Sequence, residues 1–182
     1  MIIGITGSFG AGKGEVVNYL VKKGFSHYSA RKFITAEIEK RGLPVNRDTM
    51  TTVANDLRAN YGPTYIIESL FNEAKAKGGN AIVESIREVL GVRFIKSQGG
   101  VVLGIDAEPK LRYERAFKRG SETDNVTYEQ WLRQEQIETN PDDPTKQDIF
   151  AALKESDVIV ENSGTIEDLQ RKLDLILEKY ET

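Results

Sequence analysis

Cysteine is absent from this chain and histidine occurs once, as His27. Without thiols there is neither a disulfide framework nor a thiolate metal site, and a single imidazole cannot build a histidine-rich metal centre. Long apolar runs are missing too. The run at the start, MIIGITG, is about five apolar residues long against the roughly 20 that a spanning helix needs, and no basic leader precedes it. It reads as a buried strand, not as a signal or a membrane span. Nor is there an excess of one charge: 25 Lys and Arg against 28 Asp and Glu leave a net charge of -3. The basic residues form no tract of the kind that grips nucleic acid nonspecifically, so an anionic ligand must be held by a local cluster. The expectation is a cytoplasmic protein, monomer or homodimer, with no membrane and no nucleic-acid partner.

What is present suits one compact domain: 182 residues, 39% of them hydrophobic, enough to bury a sizeable core. Five short Val- and Ile-rich runs recur, Ile2 to Thr6, Phe25 to Tyr28, Ala81 to Glu84, Val101 to Ile105 and Val158 to Glu161. Runs apolar on both faces suit a parallel sheet covered by helices. Between them the period turns helical. Val16, Val17, Leu20 and Val21 form a stripe closed by Gly24; Met50, Val53, Ala54 and Leu57 form another, stopped by Gly62 before Pro63; Ile66, Ile67, Leu70, Phe71 and Ala74 continue it. Near the end, Ile166, Leu169, Leu173, Ile176 and Tyr180 share a face behind Thr165, a candidate N-cap. Alternating strand and helix predicts an open α/β sheet of five parallel strands in three layers, its ligand site beyond the carboxyl edge of the strands.

The most specific motif lies at such an edge. In IIGITGSFGAGKGEVVNYL, Gly7 is followed by four residues and then by Gly12 and Lys13, between a strand and an amphipathic helix. That is the context of a P-loop. Gly7, Gly10 and Gly12 let the backbone fold into a nest of N–H groups, with Ser8 and Ala11 between them; the helix N-terminus adds partial positive charge, and Lys13 a full one. The expected ligand is ATP. Ser or Thr usually follows the lysine to touch Mg²⁺, but here Gly14 follows, then Glu15. The Glu15 carboxylate is either a magnesium ligand, direct or through water, or a helix N-terminal anion that interacts with the dipole.

GAGKG resembles the loop of adenylate kinases and related nucleoside monophosphate kinases, which carry glycine after the lysine and then threonine, where Glu15 stands. The likeness extends along the chain. IVESIRE ends the third strand with Glu84 and places Arg87 three residues on, similar to the DGxxR or DGxR of these kinases; the resemblance implies that Glu84 orients metal-bound water and that Arg87 binds the acceptor phosphate. A guanidinium fork matches phosphate oxygens bidentately. After the second strand, HYSARKFITAEIEKRG occupies the place of the acceptor-binding helices. There Ser29 is a candidate cap and Arg31 lies in the first turn, where a cation is unfavourable without an anionic partner. The STGDxLR pattern of the family keeps only the serine, and Thr35 takes the arginine position. Arg47 and Arg58, with Asn55 and Asp56, are further candidates to line this pocket, with a solvated helix face the alternative for each. His27 reads as packing at a strand end.

Downstream, GIDAEPKLRYERAFKRGSETD puts Arg112, Arg115 and Arg119 at i, i+3 and i+7. Three aligned like charges make sense if polyphosphate approaches them. This resembles the lid of monophosphate kinases, with Arg115 and Arg119 as its foremost residues, Arg133 as a possible addition, and a solvated helix balanced by glutamates as the alternative. The stretch SDVIVENSGTIEDL resembles that of dephospho-CoA kinases, in which the following loop lies against adenine; Asn162, Ser163 and Gly164 match it, and an ordinary turn capped by Thr165 is the alternative. Together these likenesses imply one P-loop kinase domain over residues 1–182. Its core would be residues 1–29 and 78–182, its acceptor-binding helical region 30–77, and its lid about 112–146. They imply ATP and Mg²⁺ as cofactors and a small nucleotide as acceptor. Dephospho-CoA kinase is the nearest alternative activity, and a nucleotide-sensing module without a small-molecule acceptor is the alternative of another class.

Overall fold

The computed structural model describes residues 1–118, 127–137 and 147–180. The five expected strands form one sheet: β1 (Ile2–Gly7), β2 (Ser26–Ser29), β3 (Ala81–Glu84), β4 (Val101–Asp106) and β5 (Val158–Glu161). Every pairing is parallel and the order is β2-β3-β1-β4-β5. The helices are α1 (Lys13–Lys22), α2 (Ala30–Lys40), α3 (Arg47–Tyr61), α4 (Tyr65–Lys77), α5 (Val89–Ser97), α6 (Pro109–Lys118), α7 (Tyr128–Ile137), α8 (Ile149–Lys154) and α9 (Ile166–Tyr180).

Two buried clusters, one on each side of the sheet, make the fold three-layered. Alternation along each strand sorts the side chains. Ile3 and Ile5 of β1, Ile82 of β3, Leu103 and Ile105 of β4 and Val160 of β5 pack with Val16, Val17 and Leu20 of α1 and Leu169, Leu173 and Leu177 of α9. Tyr28, Ala81, Val83 and Val102 point the other way, to a cluster that includes Ile38 of α2, Val53 and Leu57 of α3, Leu70 and Phe71 of α4, Val92 and Ile95 of α5 and Ala152 of α8. Strands apolar on both faces were legible as such because both faces are covered.

Local signals set the helix boundaries. At α9, Thr165 and Asp168 bond reciprocally, the Asp168 amide donating to the Thr165 hydroxyl and the Thr165 amide to the Asp168 carboxylate, so the expected cap is a capping box. Asn46 and Thr49 build the same device ahead of α3. At α2, Ser29 occupies the cap position but its side chain makes no capping hydrogen bond. No helix among the described residues is long and apolar enough to cross a membrane.

The topology places the site. β1 lies between β3 and β4, and the chain passes from one side of β1 to the other between them. The carboxyl end of β1 is therefore the topological switch point, where open α/β sheets bind ligands. Sheet register brings Gly7, Ser29, Glu84 and Asp106 to that same edge, with Glu84 opposite both Ile5 and Ser29, and Gly7 opposite Ile105.

Candidate phosphate-binding site

The loop from Gly7 to Gly12 is shaped by what surrounds it. Gly10 has φ 78°, and a Cβ there would stand 2.3 Å from the carbonyl oxygen of Arg112; Gly12 has φ 90°, and a Cβ would stand 2.4 Å from the Asn162 amide nitrogen. Both have a left-handed backbone that favours glycine; at Gly10 the neighbour is backbone that cannot yield, and at Gly12 a Cβ would displace the Asn162 amide that holds the loop. Ser8 is fully buried and its hydroxyl donates to Asp106 at the end of β4. Ala11, also buried, offers its carbonyl to the Asn162 side chain at 2.8 Å. The Lys13 ammonium donates to the carbonyls of Gly7 at 2.7 Å and Ser8 at 2.8 Å, which holds the charge over the loop. Gly14 and Glu15 form the exposed first turn of α1.

Asn162 joins three parts of the site. Its side chain holds the loop, its carbonyl accepts from Arg115 at 2.9 Å, and its backbone N–H donates to the Asp106 carbonyl at 2.7 Å. Arg115, on α6, thereby stands beside the phosphate loop, its guanidinium 3.8 Å from where a Cβ on Gly12 would lie. Ser163 receives the Glu108 N–H, and the exposed Gly164 packs near Asp168. Arg119 lies outside the described residues.

Arg112 departs from the expectation drawn from its helical spacing. It is buried, 3% exposed, and does not face solvent with Arg115. Its Nε donates to the Ala107 carbonyl at 2.9 Å and lies 3.5 Å from Asp106; its Nη1 pairs with Glu135 of α7 and contacts the Phe9 carbonyl at 3.3 Å; its guanidinium lies 4.9 Å from the Trp131 ring centre. Arg112 is a bracket that ties the phosphate loop, the end of β4 and α7 together, and it is not available to polyphosphate. Periodicity put it on the arginine face; the aromatic and acidic partners from α7 withdraw it into the interior.

On the β3 side, Glu84 is bonded by His27, Nε2 to Oε2 at 2.7 Å. Ser85 follows with φ 75°, the one left-handed residue other than glycine among the described residues. It stands where the DGxR pattern has glycine. A left-handed serine costs about 1–2 kcal/mol, whereas a glycine loses about 0.5–1 kcal/mol through the freedom of its unfolded chain. The strain is the larger, so Ser85→Gly is expected to stabilise the fold by about 0.5–1 kcal/mol, read as a higher urea midpoint at unchanged slope.

Arg87 is exposed and Arg58 half-buried. The structure adds Glu88, 3% exposed, whose carboxylate accepts the Arg87 backbone N–H at 3.2 Å. Burial raises its carboxyl above the usual range, opposed by the charges of Arg58 and Arg87. Arg31 is exposed in the first turn of α2, and Ser29 is buried at the end of β2. Glu15 lines a cleft of about 160 Å³ between α1 and α9 with Asn18, Tyr19, Lys22, Ile166, Leu169 and Gln170. The two carboxylates offered for a metal thus stand apart in their surroundings, Glu15 against α9 and Glu84 against His27. Among the described residues no three His, Cys, Asp or Glu side chains gather as a metal cage.

The AAA domain family matches residues 3–140. A UPF0200 protein of Methanocaldococcus jannaschii is 30% identical over 98% of this chain and 90% of its own length, and one of Pyrococcus horikoshii is 28% identical over 98% and 97%. The chain belongs to the AAA domain family and to the UPF0200 proteins. Among solved structures, this AAA domain shares its fold with a Thermus thermophilus protein, at TM-score 0.67 and 20% identity over 98% of this chain and 97% of that one. It shares it also with the shikimate kinase of Bacteroides thetaiotaomicron, TM-score 0.58 and 14% identity over 98% of both chains, and with the dephospho-CoA kinase of Campylobacter jejuni, TM-score 0.56 and 15% identity over 98% and 96%. The expected α/β fold of P-loop kinases is thereby established for this AAA domain.

Two residues and one pairing of this site were not read from the sequence: Asp106, Glu88 and the bond of His27 to Glu84. A signal existed for the first. VVLGID closes a strand run on an acid just as AIVE closes one on Glu84, and because these two strands flank β1 the two carboxylates mark a polar edge on an apolar sheet. The others depend on register and burial, which no local pattern carries.

Proposed function

We propose that this chain is an ATP-dependent phosphotransferase that moves the γ-phosphoryl group to a small nucleotide, a nucleoside or deoxynucleoside monophosphate. The observation that carries the reading is the phosphate loop itself, with Lys13 drawn over it and Arg115 linked to it through Asn162. Backbone N–H groups of Gly10, Gly12 and Lys13 hold the donor phosphates, aided by the α1 N-terminus, while the Ala11 N–H closes the loop on the Ser8 carbonyl at 3.3 Å. An acceptor phosphate oxygen attacks the γ-phosphorus, the bond to the β–γ bridging oxygen breaks, and ADP leaves. Charge spreads over the transferring oxygens, so Lys13 and Arg115, with Arg119 by the same sequence reading, stabilise it as preplaced cations.

Magnesium fits this site in the manner usual for that ion, through one or two carboxylates and the donor's phosphates without a protein cage. Glu84 is the residue that would hold it or its water, since alternation from Ile82 puts Glu84 on the sheet face that α1 covers. When bound, magnesium would neutralise charge on the donor phosphates. Glu15, beside the α1–α9 cleft, is the second carboxylate of the sequence reading.

In this reading Arg87 takes the acceptor phosphate, and Arg58, Arg31 and Ser29 are the further acceptor-binding residues. Arg87→Ala is expected to raise the acceptor KM by about tenfold, the loss of one charge-assisted phosphate contact, with the KM for ATP unchanged. The decisive experiment is an ADP-release assay with ATP, Mg²⁺ and AMP, CMP, dCMP, UMP, dTMP, GMP or dephospho-CoA. Turnover with a monophosphate supports the reading; turnover with dephospho-CoA alone replaces the acceptor class; tight ATP binding with no acceptor phosphorylated replaces the enzyme by a nucleotide sensor.

A further inference from the structure

The only histidine of the chain bonds the carboxylate that the phosphotransferase reading gives to magnesium. His27 and Glu84 meet because β2 and β3 are parallel with Ser29 level with Glu84; His27, two residues back, shares the strand face of Ser29. The Nε2–Oε2 distance is 2.7 Å, and both side chains are largely buried, 24% and 22% exposed. An ionised carboxylate only accepts, so the imidazole donates. The next residue fixes the backbone as well: Ser85 is left-handed, and Ile86 donates its N–H to the Ile5 carbonyl of β1 at 3.2 Å.

Glutamate has one more side-chain torsion than the aspartate of the DGxR pattern, and a longer, looser carboxylate places a metal less well unless something restrains it. We infer that His27 is a positioning residue for Glu84. The imidazole engages Oε2, removes the extra torsional freedom and leaves Oε1 as the oxygen for the magnesium–nucleotide complex. The strained turn at Ser85 holds the backbone end of the same side chain, so the carboxylate is fixed from both ends. The inference rests on the phosphotransferase reading of Glu84.

Calorimetry with an imido-bridged, nonhydrolysable ATP analogue tests it, with and without Mg²⁺, on wild type, His27→Ala and His27→Gln. Wild type is expected to bind the analogue more tightly with Mg²⁺ than with chelator. His27→Ala is expected to lose about tenfold of that gain, the usual cost of removing the partner of a metal ligand, with the magnesium-free affinity unchanged. His27→Gln keeps a donor and is expected to keep most of the gain, and it carries the test should the alanine variant fail to fold. If His27→Ala retains the full magnesium gain, or loses affinity equally with and without the ion, the pair is only a tie between two strands and the inference falls alone. If wild type shows no magnesium gain, the role of Glu84 falls and takes the inference with it.

Discussion

Lys13→Met is expected to lower phosphoryl transfer by about 10²–10³-fold, the range found when one preplaced charge-stabilising donor is removed from an active site. The ammonium lies over its own loop, bonded to the Gly7 and Ser8 carbonyls. Those bonds sit at a half-exposed position, so losing them costs about 1 kcal/mol of stability, too little to unfold the chain. Turnover and stability therefore separate. Methionine keeps most of the length and the apolar character of the lysine stem, so the loop keeps its packing against Asn162 and β4. The measurement is kcat from ADP release at saturating ATP, with the melting temperature as control. A variant that keeps turnover within threefold would remove Lys13 from the chemistry and leave the transferring charge to the arginines.

The contrast between what was legible and what was not follows the range of the interactions. The strands β1, β3 and β4 were readable because their residues are buried on both faces, which makes the composition itself the signal. Thr165 was readable as a cap because its partner, Asp168, is three residues away. The phosphate loop was readable because glycine is demanded at Gly10 and Gly12 by backbone sign and close approach, and such demands leave a fixed spacing. Beyond the loop, the site is assembled from pairs far apart in sequence: Ser8 with Asp106, Asn162 with Ala11, His27 with Glu84. Local periodicity carries nothing about such pairs. Ser85 is a third kind of case, where the residue type argues against the backbone it adopts, and strain of that sort persists where the surroundings overdetermine it.

The same distinction decides the fate of Arg112, for which spacing and environment give opposite predictions. Helical spacing groups it with Arg115 as a cation for polyphosphate, and on that view Arg112→Leu would weaken ATP binding and leave stability alone. The structure surrounds it with Asp106, Glu135, Trp131 and the carbonyls of Ala107 and Phe9, at 3% exposure. Leucine there would take the guanidinium from two carboxylates, Glu135, which is 13% exposed, and Asp106, which is 29% exposed and keeps the Ser8 hydroxyl. Breaking a buried ion pair from one side costs about 3–5 kcal/mol. The partial hydration of Asp106 places the expected loss near the lower end, about 3 kcal/mol, a fall in Tm of roughly 6–12 °C for a chain of this size. Arg112→Lys is expected to lie between, since an ammonium supplies the charge but not the fork that reaches Glu135, Asp106 and two carbonyls together. Urea denaturation of both variants, beside calorimetry with the ATP analogue, separates the two views. A large drop in stability identifies a bracket for the phosphate loop; unchanged stability with weakened nucleotide binding would return Arg112 to the lid.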